Sequence, residues 1–557
     1  MLDLVIRNGF VVDGSGLPGF QADVGVKEGR IARIGRIREA ARETVDASGR
    51  VVAPGFIDPH THFDAQLLWD GAAKPALTHG VTTIVPGNCS LSLAPLKAKH
   101  RKKLVGMFNQ IEEMPPIAFE TGVVWNWETF DDYVKRIGDG LAINVAPLVG
   151  HSLLRLWVME DASMQRTATD DELRALQDLL RQCLDAGAVG LSTSFVDMDE
   201  TLQPVPSRYA DQRELEALCE VLGDYGRILQ IVPEFYDADV TIARVDQLAE
   251  LSLKYGITTT FSPLFVNNDN VAGVERVMRR VDEQFARGAR VWPQVQTRPI
   301  DISFCFAVPS LLFIRFPSWY RVMRFGTHDD IVAAFRDSES RQRLVAEAAP
   351  LKDLWPRLVL RQVRTPANQP LVGKTLKEIA ALRATTPVEA MIDLSLEEDL
   401  DAHFLAGNMG HNDDARVGAL LSHPRVHIGA SDGGAHILSF STFGDTGYLF
   451  SHFVRETGAL TLEGAVKKIT SDTAAIWGLR DRGLLREGAV ADITIFDAGS
   501  IDRGVEYFAH DVPGEGARYV RDAVGMDAVI VGGRLAWSAA QGYTDAAAGV
   551  VLPGVGA

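Results

Sequence analysis

The feature that most limits what this chain can become is an alternation. Eight short apolar, β-branched runs, at 54–58, 81–85, 143–147, 188–192, 228–232, 257–261, 291–295 and 426–430, are separated by stretches with helical periodicity. Interleaving of this kind predicts βα units on a parallel sheet, and eight of them predict an α/β fold, a (β/α)8 TIM-like barrel. The stretch 170–186 shows the helical signature well: Thr169 and Glu172 are spaced as a capping box ahead of the apolar stripe Leu173, Leu176, Leu179, Leu180, Cys183, Leu184.

The two ends follow another grammar. Residues 1–53 and 481–557 read as short alternating strands broken by turns such as Asn8-Gly9 and Gly532-Gly533, which predicts a small β-sandwich domain built from both chain ends. The barrel then occupies 54–480. That is longer than eight βα units need, so insertions are expected at 94–137 and 299–416. The apolar stretch 302–314 is short and interrupted by Pro309, which suits a buried strand or lid better than a bilayer helix.

Charge narrows the partners. Against 56 basic residues stand 73 acidic ones, a net −17 with no Lys/Arg block, which argues against nucleic acid or an anionic membrane. A small-molecule substrate is expected, and a homo-oligomer is left open. Four cysteines lie far apart without a CxxC pair, and no leader pattern precedes the first strand, so a reducing, cytoplasmic setting is expected. Cys183 and Cys219 fall on apolar helical stripes and read as core.

In barrels of this type the loops after the strands carry the chemistry. At the end of the first run stands Gly55-Phe56-Ile57-Asp58-Pro59-His60-Thr61-His62. Residues two apart on extended chain point the same way, so His60 and His62 aim both imidazoles into one site and can grip a metal ion. Asp432, in the Gly-rich turn after the eighth run, is either a second carboxylate for this site or a simple Asx turn. Cys89, after the second run, is either a ligand or a small buried hydrophobe.

Taken in order, these segments resemble the amidohydrolase superfamily, in particular its N-acyl-D-amino-acid deacylase (D-aminoacylase) branch. The resemblance spans nearly the whole chain: 54–62, 79–85 leading into Gly87-Asn88-Cys89, Gly190-Leu191-Ser192-Thr193, 430–434, 470–474, and Asp481-Arg482-Gly483 before Ala491-Asp492. It implies a barrel enzyme that hydrolyses amide-type C–N bonds with metal-activated water. Asp432 takes the place of the general base and acid, and Cys89 that of a thiolate ligand to zinc. Thiolate favours zinc over magnesium or calcium.

The chain departs from the branch at two places. The branch supplies a histidine after the fifth strand and another after the sixth, and neither Leu229-Gln230-Ile231-Val232-Pro233-Glu234 nor Thr260-Phe261-Ser262-Pro263-Leu264 contains one. The expected cofactor is therefore one Zn2+ gripped by His60, His62 and Asp432, with Cys89 as fourth ligand and a second ion left open. Gln230, Glu234 and His151 are conceivable replacement ligands. His151 is alternatively a catalytic group that hydrogen-bonds the substrate or polarises its carbonyl. Gln230 and His436 are expected near the substrate, and Arg298 is placed either to bind a substrate carboxylate or to form a structural ion pair. The stretch 304–320 either lines an acyl pocket or packs an insertion or subunit contact. Beside deacylation stand two other readings: hydrolysis of a cyclic amide, imide or carbamate, and a non-catalytic barrel that only binds a ligand.

Overall fold

The computed structural model describes residues 1–266, 271–313, 316–429 and 431–552. Eight parallel strands form the barrel: β1 (Phe56–Asp58), β2 (Val81–Ile84), β3 in two pieces (Asn144–Val145 and Leu148–Gly150), β4 (Gly190–Ser194), β5 (Ile228–Val232), β6 (Thr258–Phe261), β7 (Val291–Val295) and β8 (His427–Ile428). The break in β3 falls at Pro147, which has no N–H to give to the ladder. Its carbonyl still accepts from Val189 at 2.9 Å. The ring closes past the end of β8, where His62 N donates to Gly433 O at 2.7 Å. Ala430, the predicted end of the eighth strand, lies outside the described residues, as do Ile314 and Arg315 of the two apolar stretches.

The predicted helix is α1 (Asp170–Asp185), with the Thr169–Glu172 capping box formed in both directions. Such a cap contributes about 1 kcal/mol. Leu176, Leu179, Leu180, Cys183 and Leu184 are its buried face, and Cys219 is buried in the next long helix, α2 (Gln212–Tyr225). Both cysteines are core residues.

Strands from the two chain ends share one nine-stranded sheet. Val51–Pro54 lies between Leu2–Val11 and Ile493–Phe496, with Met526–Val531 beyond the latter. Val51–Pro54 runs straight into β1, so this sheet fixes where the first barrel strand starts. Two pieces of 481–557 leave the sheet. The hairpin Glu506–Val512 with Gly516–Arg521 reaches the barrel's active face, where Tyr519 N donates to Ile437 O at 2.8 Å. The last described residues pair with β3, Leu552 N donating to Val145 O at 2.7 Å. Residues 553–557 lie outside the described set.

The insertion at 299–416 has its own architecture. Ile300–Phe304, His403–Gly410 and Val359–Gln362 make an antiparallel sheet. Five helices pack on it around a core of their own that includes Phe304, Phe306, Phe313, Phe316, Trp319 and Trp355. The aromatic residues of 304–320 therefore pack the insertion. The insertion at 94–137 instead joins the barrel's core through Leu104, Met107, Phe108 and Phe119. Among the described residues no helix is long and apolar enough to cross a membrane.

Candidate metal centre and active site

The turn after β2 is built so that Cys89 can face the end of β1. Gly87 has φ 89°, and a Cβ there would meet Leu148 O at 2.4 Å, so only glycine fits. Gly87 N donates to Asp64 Oδ2 at 3.1 Å, and Asn88 Nδ2 donates to Val85 O at 2.7 Å. Cys89 (φ 54°), Asp432 (φ 57°) and His436 (φ 50°) all take left-handed backbone. Each costs roughly 1 kcal/mol and has to be held by its surroundings. Around Asp432 the holding is visible: Ser431 Oγ donates to Asp58 Oδ2 at 2.6 Å, and Gly433 N donates to Ser431 Oγ at 3.0 Å.

Four side chains from β1 and the loops after β2 and β8 converge. His60 Nε2 stands 3.2 Å from Asp432 Oδ1 and 3.6 Å from Cys89 Sγ. His62 Nε2 stands 3.9 Å from Asp432 Oδ1 and 3.8 Å from Cys89 Sγ. Two ligands of one four-coordinate zinc ion stand roughly 3.3–3.6 Å apart. The contacts of both imidazoles with Cys89 and of His60 with Asp432 come near that spacing, and His60, His62 and Cys89 each offer a donor atom within 4.8 Å of the other two. One far ring nitrogen is bonded, His60 Nδ1 to Gln294 Oε1 at 3.2 Å, and His62 Nδ1 lies 3.1 Å from Glu112 Oε1, which has no hydrogen-bond partner. Proton donation from His60 Nδ1 to Gln294 leaves its Nε2 lone pair facing the cluster.

The electrostatics also suit a cation. Burial favours the neutral form of both imidazoles, His60 falling to about 4 and His62 well below its usual range with help from His60 and His436. Burial pushes Asp58 and Asp64 up to about 7, Asp197 to about 6, and Glu112 and the Cys89 thiol well above their usual ranges. Asp432 is raised by burial and then lowered in part by His436 and Arg298. A divalent ion bound among these acids would favour their ionised forms.

Two expected residues lie elsewhere in function. His151 does not join the cluster: its Nδ1 bonds Thr193 Oγ1 at 2.9 Å and its Nε2 bonds Glu214 Oε1 at 2.7 Å, and Arg155 pairs with the same carboxylate. The bonds of His151 belong to a network of buried side chains with Glu214 and Arg155, apart from the cluster of His60 and His62. Arg298 forms the structural ion pair of its two readings, with Asp445 at 2.5 Å, and its Nη2 donates to Ser431 O at 3.0 Å. It anchors the segment carrying Asp432. His436 lies beside the cluster, electrostatically coupled to Asp432 and His60, and its Nδ1 is buried without a hydrogen-bond partner.

Gln230 is buried on β5 with Nε2 donating to Ile231 O at 3.0 Å and Oε1 unpartnered. Glu234 is paired with Arg244 at 2.9 Å instead of facing the cluster. The sequence has no histidine between His151 and His328, so no shift of alignment supplies ligands from β5 or β6. Thr260 on β6 instead accepts from Gln294 Nε2 at 3.0 Å.

Gln294 and Glu112 are the functional candidates that the sequence reading missed. Gln294 had a signal, a polar residue inside the apolar run of β7. Glu112 had none, because it follows an insertion helix, α3 (Arg101–Ile111), and reaches His62 only through the tertiary fold.

The amidohydrolase family model matches residues 43–256 and 326–536. The chain belongs to the amidohydrolase family, and it is a metal-dependent hydrolase acting on amide-type C–N bonds. Within the family it sides with the D-aminoacylase branch: it is 29% identical to the D-aminoacylase of Alcaligenes xylosoxydans xylosoxydans over 99% of this chain and 97% of the relative. A solved D-aminoacylase, described by one-metal activation and second-metal attenuation of a binuclear centre, superposes with a TM-score of 0.68 at 26% identity, covering 99% of this chain and 100% of the other. The N-acyl-D-glutamate deacylase of Bordetella bronchiseptica, solved with zinc and a phosphonate mimic of the tetrahedral intermediate, gives 0.68 at 26% identity and 99% coverage of both chains.

Proposed function

We propose that this chain hydrolyses N-acyl-D-amino acids, using one zinc ion held by His60 and His62 with Asp432 and Cys89. The observation that carries the reading is the convergence of both Nε2 atoms on Asp432 Oδ1 and Cys89 Sγ at 3.2–3.9 Å. A zinc ion bound there supplies Lewis acidity and makes water acidic enough to react near neutral pH.

The protein's own groups do the rest. Gln294 holds the His60 imidazole in the tautomer that presents Nε2, and Glu112 stands 3.1 Å from His62 Nδ1. Asp432 takes a proton from the attacking water on a carboxylate oxygen and returns it to the amide nitrogen as the C–N bond breaks, so that a neutral amine leaves. His436, with Nδ1 free, is placed to bond the substrate's polar groups. One ion suffices for this chemistry, and the D-aminoacylase described by one-metal activation supports that count. Four free cysteines support a reducing, cytoplasmic setting.

The test is a substrate panel on zinc-loaded and chelator-stripped protein: N-acyl-D-amino acids, their L forms, and cyclic amides and imides. Zinc-dependent release of free D-amino acid is expected. Ring opening without deacylation replaces the substrate class, and full activity after stripping removes the metal from the reaction.

A further inference from the structure

A second set of metal-type donors lies where the large insertion meets the C-terminal hairpin, with no residue in common with the cluster of His60 and His62. Cys305 follows the strand Ile300–Phe304, and His403 opens the neighbouring strand His403–Gly410. The register pairs Ser303 with Leu405 and Phe304 with Phe404, so one step further brings Cys305 opposite His403. Asp401 approaches from the preceding turn, its Oδ1 bonded to His403 Nε2 at 3.0 Å. One donor atom from each of the three residues lies within 4.8 Å of the other two.

We infer that Cys305, Asp401 and His403 bind a second divalent ion of the zinc type, a structural site that ties together the two strands of the insertion beside the hairpin Glu506–Arg521. The donor set of sulfur, imidazole and carboxylate is the one zinc prefers. Cys305 and His403 are buried, while the Asp401 side chain is about a quarter exposed, which leaves one side of the site open for a water ligand. Tyr519 Oη meets His403 Nδ1 at 2.8 Å and so fixes the ring from behind.

Loading is balanced by one proton. The thiol proton leaves to solvent, and the ring proton moves from Nε2 to Nδ1, where Tyr519 Oη accepts it. Tyr519 also donates its backbone N–H to Ile437 O, next to His436. That backbone bond does not involve the donor residues, so the loop that carries His436 keeps its contact whether or not the ion is bound.

Cobalt substitution reads the site directly, because a thiolate ligand gives cobalt a charge-transfer absorption that nitrogen and oxygen ligands do not. In Cys89→Ser, Cys305 is the remaining cysteine with metal-type donors around it, since Cys183 and Cys219 lie in apolar helix faces. Cobalt-loaded Cys89→Ser is expected to keep a thiolate band that Cys89→Ser/Cys305→Ser loses. Elemental analysis of zinc-saturated protein is expected to show one ion per chain fewer in Cys305→Ser than in the parent, with deacylase turnover retained. Absence of the band in Cys89→Ser, or equal zinc content in parent and Cys305→Ser, overturns the assignment. The first arm keeps Cys305 in place, so it decides the matter even where Cys305→Ser fails to fold.

Discussion

Asp432 combines an unfavourable backbone, φ 57°, with a half-buried carboxylate 3.2 Å from His60 Nε2. Neither feature helps stability, and the bonds of Ser431 to Asp58 and of Arg298 to Ser431 O hold both in place. That pattern fits a side chain kept for chemistry. Asp432→Asn keeps the volume and removes the proton acceptor, so kcat is expected to fall about 10²–10⁴-fold while His60, His62 and Cys89 retain zinc. Steady-state kinetics and metal analysis on the same sample check this, and a fall smaller than tenfold contradicts the role. Residue-scale legibility followed local geometry. His60 and His62 could be found because a period of two is written in the chain. His151 misled because its position after β3 says nothing of Glu214, 63 positions later, which occupies its Nε2.

Among the elements, the insertion at 299–416 shows how far patterning reaches. Its aromatic run was visible, but whether it lined a pocket or packed a core depended on the strand His403–Gly410, which pairs with Ile300–Phe304 on one side and Val359–Gln362 on the other. His411 marks the insertion's return to the barrel: its Nδ1 accepts from Val266 N, and its Nε2 donates to Gln296 O, both at 3.0 Å. Burial lowers its pKa to about 4, against about 6.5 in the unfolded chain. Between those values the unfolded state binds the extra proton, so this contribution is complete above pH 6.5 and is lost as pH falls toward 4. Relative to the wild type, His411→Gln is therefore expected to gain up to about 3 kcal/mol between pH 6.5 and 4. Urea unfolding across that range measures it. A pH-independent difference contradicts the buried neutral imidazole.

For the whole molecule, the barrel was legible because eight apolar runs at βα spacing leave few alternatives. The closing of both ends into one sheet was legible because each end had the same strand-and-turn pattern. The excursions from that sheet were not: the docking of the hairpin Glu506–Arg521 on Ile437 and the pairing of Leu552 with Val145 are contacts between residues far apart in the chain. The ligand geometry likewise exists only once β1, β2 and β8 are neighbours around the ring. The account rests on an ion at that meeting point. An anomalous difference map from crystals of zinc-loaded protein, recorded at the zinc edge, is predicted to show a peak about 2.0–2.1 Å from both His60 Nε2 and His62 Nε2. Clean density there without an anomalous peak, in protein that still hydrolyses its substrate, contradicts it.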